Sequence, residues 1–215
     1  MKRNEEMRHV CRPRIWYYAC MKHEPKRVVV IAGPSGSGES TFTEELMLAY
    51  PNFTRTVSAT TRAPRGNEKD GVDYYFMTKE KFFEEVQNGN IPEHVLVRAR
   101  DAYYGTYLPD LTRRLASGKT VVANTDLSGA EYYKKNYNAV TVFIKPKSIF
   151  SLYNRLVHRD PTMPKEEVLT RVMSAVQEIL EAESNYDHVV FTGDNEFAET
   201  LIHIVDKLKH EGYVV

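Results

Sequence analysis

The feature that most constrains this chain is a run of glycines and hydroxyl residues between a short apolar segment and an amphipathic one. Val28–Ala32 is rich in β-branched residues, which is typical of a buried strand. Residues 33–41 then read GPSGSGEST, and from Ser40 apolar residues recur at helical spacing until Pro51. A glycine turn between strand and helix directs successive backbone N–H groups and the helix N-terminus toward one point. The sequence therefore predicts a phosphate-binding loop.

The loop pattern predicts which individual residues contact the phosphates of ATP. The Ser40 hydroxyl is the predicted ligand of magnesium, because a Ser or Thr at this place in the pattern contacts the metal. A plain glycine turn is the alternative, and the preceding strand and the Ser-Thr that follows argue against it. The predicted phosphate-binding residues are Gly33, Ser35, Gly36, Ser37, Gly38, Ser40 and Thr41.

Glu39 stands where the loop pattern requires a lysine that reaches the β- and γ-phosphates. Two like charges about 4 Å apart repel by roughly 4 kcal/mol at an effective dielectric constant near 20. Each ~1.4 kcal/mol corresponds to a tenfold change in rate. We therefore predict weakened nucleotide binding and strongly impaired turnover. A lysine-to-glutamate change in an active enzyme and a natural loss of activity both fit this residue.

The rest of the chain alternates apolar strand-like runs with helical patterns. Such alternation predicts an α/β fold with a mainly parallel sheet flanked by helices. Residues 55–107 differ, because they are polar, rich in tyrosine and contain short β-prone pieces, which indicates an insertion with its own small sheet. The other predicted strands are residues 120–123, 139–144 and 188–191, and the predicted helices are residues 108–116, a helix after Pro164, and residues 197–208.

Composition excludes several classes of function. The 29 basic and 29 acidic residues cancel, which argues against a general nucleic-acid binder held by phosphate neutralisation. No apolar stretch approaches the roughly 20 residues that cross a bilayer. Cys11 and Cys20 are the only cysteines, so no disulfide framework ties the core together and a cytoplasmic location fits best. For residues 1–26 we predict an N-terminal arm, with poor order, packing on the domain and a degenerate targeting peptide as open alternatives.

Three motifs after the loop resemble guanylate kinases: residues 58–66 (SATTRAPRG), 73–76 (DYYF) and 103–105 (YYG). They occur in the order and at about the spacing of that family, and the resemblance covers roughly residues 28–208. It implies a P-loop NTPase-type domain over residues 27–211. In this domain a small GMP-binding β/α subdomain is inserted at about residues 55–107, and a helical lid lies at about residues 148–172.

The resemblance also implies the residues that bind the acceptor. Two arginine forks with hydroxyl groups around them suit the dianionic phosphate of GMP. A solvated basic loop is the alternative for this segment. The GMP phosphate ligands that it implies are Ser58, Arg62, Arg65 and Tyr74.

At the guanine end the resemblance implies Glu93, Tyr104 and Asp126. A carboxylate at Glu93 can accept hydrogen bonds from N1–H and the exocyclic amine of the base. The interval from Glu93 to Tyr104 is about two residues longer than in the family pattern, and His94 replaces its usual tryptophan. Another monophosphate in place of GMP is therefore an open alternative.

The resemblance further implies three lid arginines on the ATP phosphates: Arg155, Arg159 and Arg171. With Glu39 they are the predicted catalytic positions. Asn124 stands where the family has an aspartate that supports the magnesium region, so a second charge is missing from the same site. Two losses in one site favour natural divergence over a single change.

The predicted reaction is transfer of the γ-phosphate of ATP to GMP, which gives ADP and GDP and uses Mg²⁺ as cofactor. Catalysis of this kind depends on positioning and charge. The alternative is a catalytically inactive module that binds a nucleotide or a protein. The predicted partners are ATP and GMP or a related monophosphate, without nucleic acid or membrane, and the predicted state is a monomer or homodimer.

Overall fold

A computed structural model of the chain describes residues 26–215. The predicted N-terminal arm, apart from Lys26, and both cysteines lie outside the described residues. Within residues 26–215 no helix combines the length and apolar character needed to cross a membrane.

A five-stranded parallel sheet forms the centre of the structure, with strand order β2-β7-β1-β8-β9. Its first strand is the predicted β-branched run, which lies between two other strands and is fully buried. The strands of this sheet are β1 (Val28–Ala32), β2 (Phe53–Arg55), β7 (Thr120–Ala123), β8 (Val140–Pro146) and β9 (His188–Thr192).

Helices cover both faces of this sheet. Val29 and Ile31 of β1 face a core that includes Phe42 and Leu208, while Val28 and Val30 face a second core on the other side. This alternation follows from the two-residue period of a strand. The predicted mainly parallel sheet flanked by helices is confirmed. The helices are α1 (Glu39–Ala49), α2 (Lys79–Gln87), α3 (Leu108–Ala116), α4 (Leu127–Tyr137), α5 (Ile149–Arg159), α6 (Lys165–Asn185) and α7 (Phe197–His210).

A second, four-stranded sheet lies between β2 and α3 in the chain, with strand order β4-β3-β6-β5. It packs against α2 through a small core centred on Phe82 and Ile91. This is the insertion that the polar, tyrosine-rich composition of residues 55–107 predicted. Its strands are β3 (Ala59–Thr60), β4 (Tyr75–Phe76), β5 (His94–Val97) and β6 (Ala102–Gly105).

The segment predicted as a lid consists of α5, a connection at residues 160–164 and the first half of α6. The buried residues Leu152 and Leu156 of α5 lie against the glycine loop, because a Cβ atom at Gly36 would lie 3.2 Å from Leu152 Cδ1. The lid segment therefore packs on the phosphate loop.

Candidate active site

One cavity of about 550 Å³ lies between the glycine loop, the carboxyl ends of the central strands and the small sheet. Parallel strands end at the same edge of their sheet, so the residues after β1 and β7 meet there. From the loop, the residues that line the cavity are Gly33, Ser35, Gly36, Glu39 and Ser40. From the predicted acceptor set, the lining residues are Ser58, Arg62, Arg65, Tyr74, Glu93, Tyr104 and Asp126.

The loop turns sharply at two glycines. Gly36 has φ 93° and Gly38 has φ 96°, in the left-handed region that favours glycine. The turn is closed by Ser37 N–H, which donates to Pro34 O at 2.9 Å. Helix α1 begins at Glu39, so the N–H groups of its first turn have no intrahelical acceptor. The backbone geometry therefore suits an anion.

Three predicted loop residues are not among those that line the cavity: Ser37, Gly38 and Thr41. The Ser37 hydroxyl is buried and has no hydrogen-bond partner in the described part of the chain. The Ser37 side chain acts on the Glu39 carboxyl group and partly offsets the rise in its pKa.

Glu39 lies deep in the cleft, although part of its surface stays accessible. Burial is the main cause that raises the pKa of Glu39 to about 8, and the negative charge of Glu178 adds to it. The positive charges of Arg100 and Arg159 act in the opposite direction. Partial burial in the cleft wall and then the charge of Asp126 raise the pKa of Glu178 as well. Two acidic groups therefore share this end of the cavity.

The raised pKa corrects one part of the electrostatic prediction from the sequence. That prediction treated Glu39 as ionised, but a group with a pKa of about 8 is largely protonated at pH 7. Like-charge repulsion with a phosphate therefore applies above about pH 8. The positive charge that a lysine would supply at residue 39 is missing at every pH.

The pH dependence of folding stability is a direct test of this burial. The native chain holds a proton on Glu39 between the unfolded pKa of 4.5 and about 8, so its free energy of unfolding falls as pH rises through this range. Glu39→Gln removes the free-energy cost of burying an ionised carboxylate at this position. We expect the variant to match the unaltered chain near pH 4.5 and to be more stable by about 4 to 5 kcal/mol near pH 8.5, measured by urea unfolding.

The control for this experiment is Glu45→Gln, which changes an exposed glutamate on the same helix. Its stability difference from the unaltered chain is expected to stay flat with pH. A flat difference for Glu39→Gln as well contradicts the burial of Glu39.

The two predicted phosphate-binding arginines meet around one carboxylate. Arg62 Nη1 and Nη2 donate to Glu68 at 2.9 and 3.0 Å, and the backbone N–H of Arg65 donates to Glu68 Oε2 at 2.7 Å. The Arg62 guanidinium also lies 5.4 Å from the Tyr74 ring centroid and its Nε donates to Tyr104 Oη at 3.1 Å. This fork geometry suits an oxyanion, since a carboxylate already occupies it.

The Tyr104 hydroxyl contacts a second guanidinium group. Arg100 Nη1 lies 3.4 Å from Tyr104 Oη, and its Cζ lies 5.8 Å from the ring centroid. Burial by itself raises the pKa of Tyr104, but the hydrogen bonds and charges of Arg100 and Arg62 lower it overall. Arg100 was not predicted from the sequence.

Glu93 also lines the cavity. It accepts a hydrogen bond from Thr106 Oγ1 at 3.3 Å, and burial and then the charge of Asp126 raise its pKa. Asp126 caps helix α4, because its side chain accepts from Gly129 N–H at 3.0 Å. These two carboxyl groups therefore lie close enough to interact within the cavity.

Asn124 follows β7 and lies beside the glycine loop. Its Nδ2 donates to Ile31 O at 3.0 Å and to Thr43 Oγ1 at 2.9 Å. The Ile31 carbonyl can only accept, which fixes the amide orientation and leaves Asn124 Oδ1 buried without a partner. In the described residues no cluster of three or more His, Cys, Asp or Glu could hold a metal. The neutral oxygens of Asn124 and Ser40 fit a Mg²⁺ that arrives on nucleotide phosphates, because such ions keep several waters.

Only one of the three predicted lid arginines, Arg159, lines the cavity. Arg155 instead binds Asp194 at 2.9 Å and Gly193 O at 3.3 Å. Arg171 pairs with Glu167 on its own helix at 2.5 Å. The structure does not bring Arg155 and Arg171 to the cavity.

Sequence reasoning missed four charged residues of the lining: Glu68, Arg100, Glu178 and Glu181. Arg100 lies in the interval that is two residues longer than the family pattern, and that extra length was the available signal. Glu178 lies on a long helix, where a single glutamate in the sequence resembles any surface residue. Its place in the cavity lining could therefore be identified only from the folded structure.

Comparison with known proteins places these features in a family. The sequence model described as Guanylate kinase matches residues 25–211. A curated guanylate kinase of Mycoplasmopsis synoviae is 35% identical over 181 residues, which cover 80% of this chain and 89% of that protein. A guanylate kinase of Clostridium tetani is 40% identical over 153 residues, which cover 71% and 72%. The crystal structure of guanylate kinase from Anaplasma phagocytophilum superposes with a TM-score of 0.69 at 28% identity, and the match covers 89% of this chain and 88% of that one.

Proposed function

We propose that this chain, which belongs to the guanylate kinase family, transfers the γ-phosphate of ATP to GMP or a related monophosphate, at a rate limited by Glu39. The observation that carries the proposal is the shared cavity. Glycine-loop residues and the arginines Arg62 and Arg65 line the same space, so two phosphate groups can meet in it.

The acceptor side of the cavity supports GMP. A phosphate dianion can take the place of the Glu68 carboxylate between Arg62 and Arg65. Tyr74 and Ser58 line the same cavity and can contact this phosphate. Burial and the charge of Asp126 raise the pKa of Glu93 and so favour its protonated form. A guanine base that donates N1–H and an amine favours the ionised form, and ionised Glu93 can then accept both hydrogen bonds.

The donor side supports ATP with magnesium. The N–H groups of the loop and of the first turn of α1 are available to phosphate oxygens, with Arg159 as a nearby cation. Magnesium bound to the nucleotide offsets phosphate charge, with the hydroxyl of Ser40 and the Asn124 oxygen as the protein groups that hold it.

Transfer in this site requires little proton chemistry from the protein. An ionised oxygen of the acceptor phosphate attacks the γ-phosphorus, and the bond to the bridging oxygen breaks as ADP leaves with the electron pair. The residues of this chain bind and orient the two phosphates and exclude water between them. The acceptor is already ionised near neutral pH, so no dedicated base is needed.

Calorimetric titration of GMP tests the acceptor site without requiring turnover. We expect one-to-one binding to the unaltered chain, and an affinity lower by about 10- to 100-fold in Arg62→Gln, since charge-assisted hydrogen bonds are lost. Arg98→Gln is the control, because Arg98 is exposed. Equal affinities in all three proteins, or no binding of GMP by any of them, contradict the proposed acceptor site.

A binding module without turnover is the second candidate. It is favoured by two residues in the ATP-binding half of the cavity: Glu39 stands where the loop pattern has a lysine, and Asn124 stands where the family has an aspartate. The two candidates differ in one result: a kinase gains GDP formation when Glu39 becomes lysine, whereas a binding module gains none.

A further inference from the structure

The turn that joins β5 to β6 carries a cation into the cavity. Residues 98–100 form a short 3₁₀ helix, and Asp101 then adopts a left-handed conformation with φ 43°. Lys79 Nζ on α2 contacts Asp101 at 3.1 Å, which ties this turn to α2. Arg100 lines the cavity, whereas Arg98 on the same turn is exposed.

Arg100 differs from several other arginines near this site in its partners. Arg62, Arg155 and Arg171 each pair with a carboxylate. Within residues 26–215 Arg100 has no carboxylate oxygen within 4.0 Å, and its polar contact is the Tyr104 hydroxyl. Its charge is therefore available to a bound anion.

The position of Arg100 relates the two halves of the cavity. On the acceptor side it shares the Tyr104 hydroxyl with Arg62. On the donor side its charge acts on Glu39 more strongly than the charge of Arg159 does, and it also acts on Glu178. Arg100 therefore lies within electrostatic reach of both halves of the cavity.

We propose that Arg100 supplies, from the β5–β6 turn, the positive charge at the point of phosphoryl transfer that residue 39 of the loop does not provide. The inference rests on the proposed function and deepens it. A planar guanidinium can bind two oxygens of the γ-phosphoryl group and stabilise their charge as the group moves. In this step only phosphorus–oxygen bonds form and break.

Binding of a bisubstrate analogue, adenosine and guanosine joined through five phosphates, tests this inference. The analogue spans both halves of the cavity, so calorimetry reports the contact without turnover. We expect Arg100→Gln to weaken its binding about tenfold or more, Arg100→Lys to recover part of the loss, and Arg98→Gln to change it less than about twofold.

The same substitution in the Glu39→Lys protein separates a charge at the transfer point from a purely structural role. If Arg100 compensates for residue 39, its loss costs less once a lysine is present, so the two effects are not additive. We expect Arg100→Gln to reduce analogue affinity by less than about threefold in that background. A global destabilisation lowers affinity equally in both backgrounds.

Each result leads to a definite conclusion. Equal affinities of Arg100→Gln and Arg98→Gln overturn the role of Arg100, as do equal losses in the unaltered and the Glu39→Lys backgrounds. Binding by Glu39→Lys alone, with none by the unaltered chain, overturns it too, because Arg100 then fails to compensate. Absence of binding in both backgrounds contradicts the proposed function itself.

Discussion

Replacing Glu39 with lysine is expected to raise the rate of GDP formation from ATP and GMP by about 10²- to 10⁴-fold. Lysine adds the cation that can reach the β- and γ-phosphates and removes an acidic group whose pKa is about 8. Both changes lower the energy of the transition state, in which charge spreads over the transferring oxygens. The rate is measured at saturating ATP, GMP and magnesium.

Two control variants separate the added cation from the lost acid. Glu39→Gln removes the carboxyl group without adding charge, so at pH 7 we expect a gain of about tenfold or less, which grows above pH 8 as Glu39 ionises. Glu45→Lys adds a cation on the exposed side of the same helix and is expected to leave the rate unchanged. A gain in Glu39→Lys no larger than in Glu39→Gln contradicts the role of the missing lysine.

Asp110→Ala is expected to lower the free energy of unfolding by about 3–5 kcal/mol. The Asp110 side chain is fully buried and accepts hydrogen bonds from Val57 N–H at 2.8 Å and Arg114 Nε at 2.7 Å. It also accepts from Tyr75 Oη at 3.2 Å and binds Arg113. Alanine removes the acceptor of the Val57 N–H in the interior and of the part-buried Arg114 and Tyr75 groups.

Asp110 joins the small sheet to the central one. Val57 follows β2, Tyr75 lies on β4, and Asp110 itself lies in the first turn of α3. Its loss is therefore expected to weaken GMP binding as well. Arg113→Gln removes one partner that is 64% exposed and is expected to cost less than about 1 kcal/mol. Urea unfolding of both variants tests this, and a loss below 1 kcal/mol for Asp110→Ala contradicts it.

The central architecture was predictable because its signals are local. The β-branched run at Val28–Ala32, the glycines and the helical spacing after Ser40 determine strand, loop and helix within about 25 residues. The remaining strands were short apolar runs, and β8 begins at Val140, one residue after its predicted start. The apolar spacing of α1 does not give its buried face in full, because the apolar Ala49 is exposed and the buried face includes Thr43, which accepts from Asn124.

The charge state of the site was not predictable from the sequence. A glutamate in a loop pattern does not reveal its burial, and the pKa of Glu39 depends on Glu178, which lies 139 positions away along the chain. Arg100 and Asp110 likewise acquire their roles from contacts across the small sheet. Such long-range contacts have no sequence period, so only the folded arrangement identifies them.

The most direct test of the central claim compares GDP formation by Glu39→Lys with that by Glu39→Lys carrying Arg62→Gln. The claim is that the glycine loop and the acceptor arginines serve one reaction in one cavity. It predicts GDP formation by the first protein and a large loss in the second, because the acceptor phosphate is no longer held. GDP formation that is absent from both proteins, or equal in both, contradicts it.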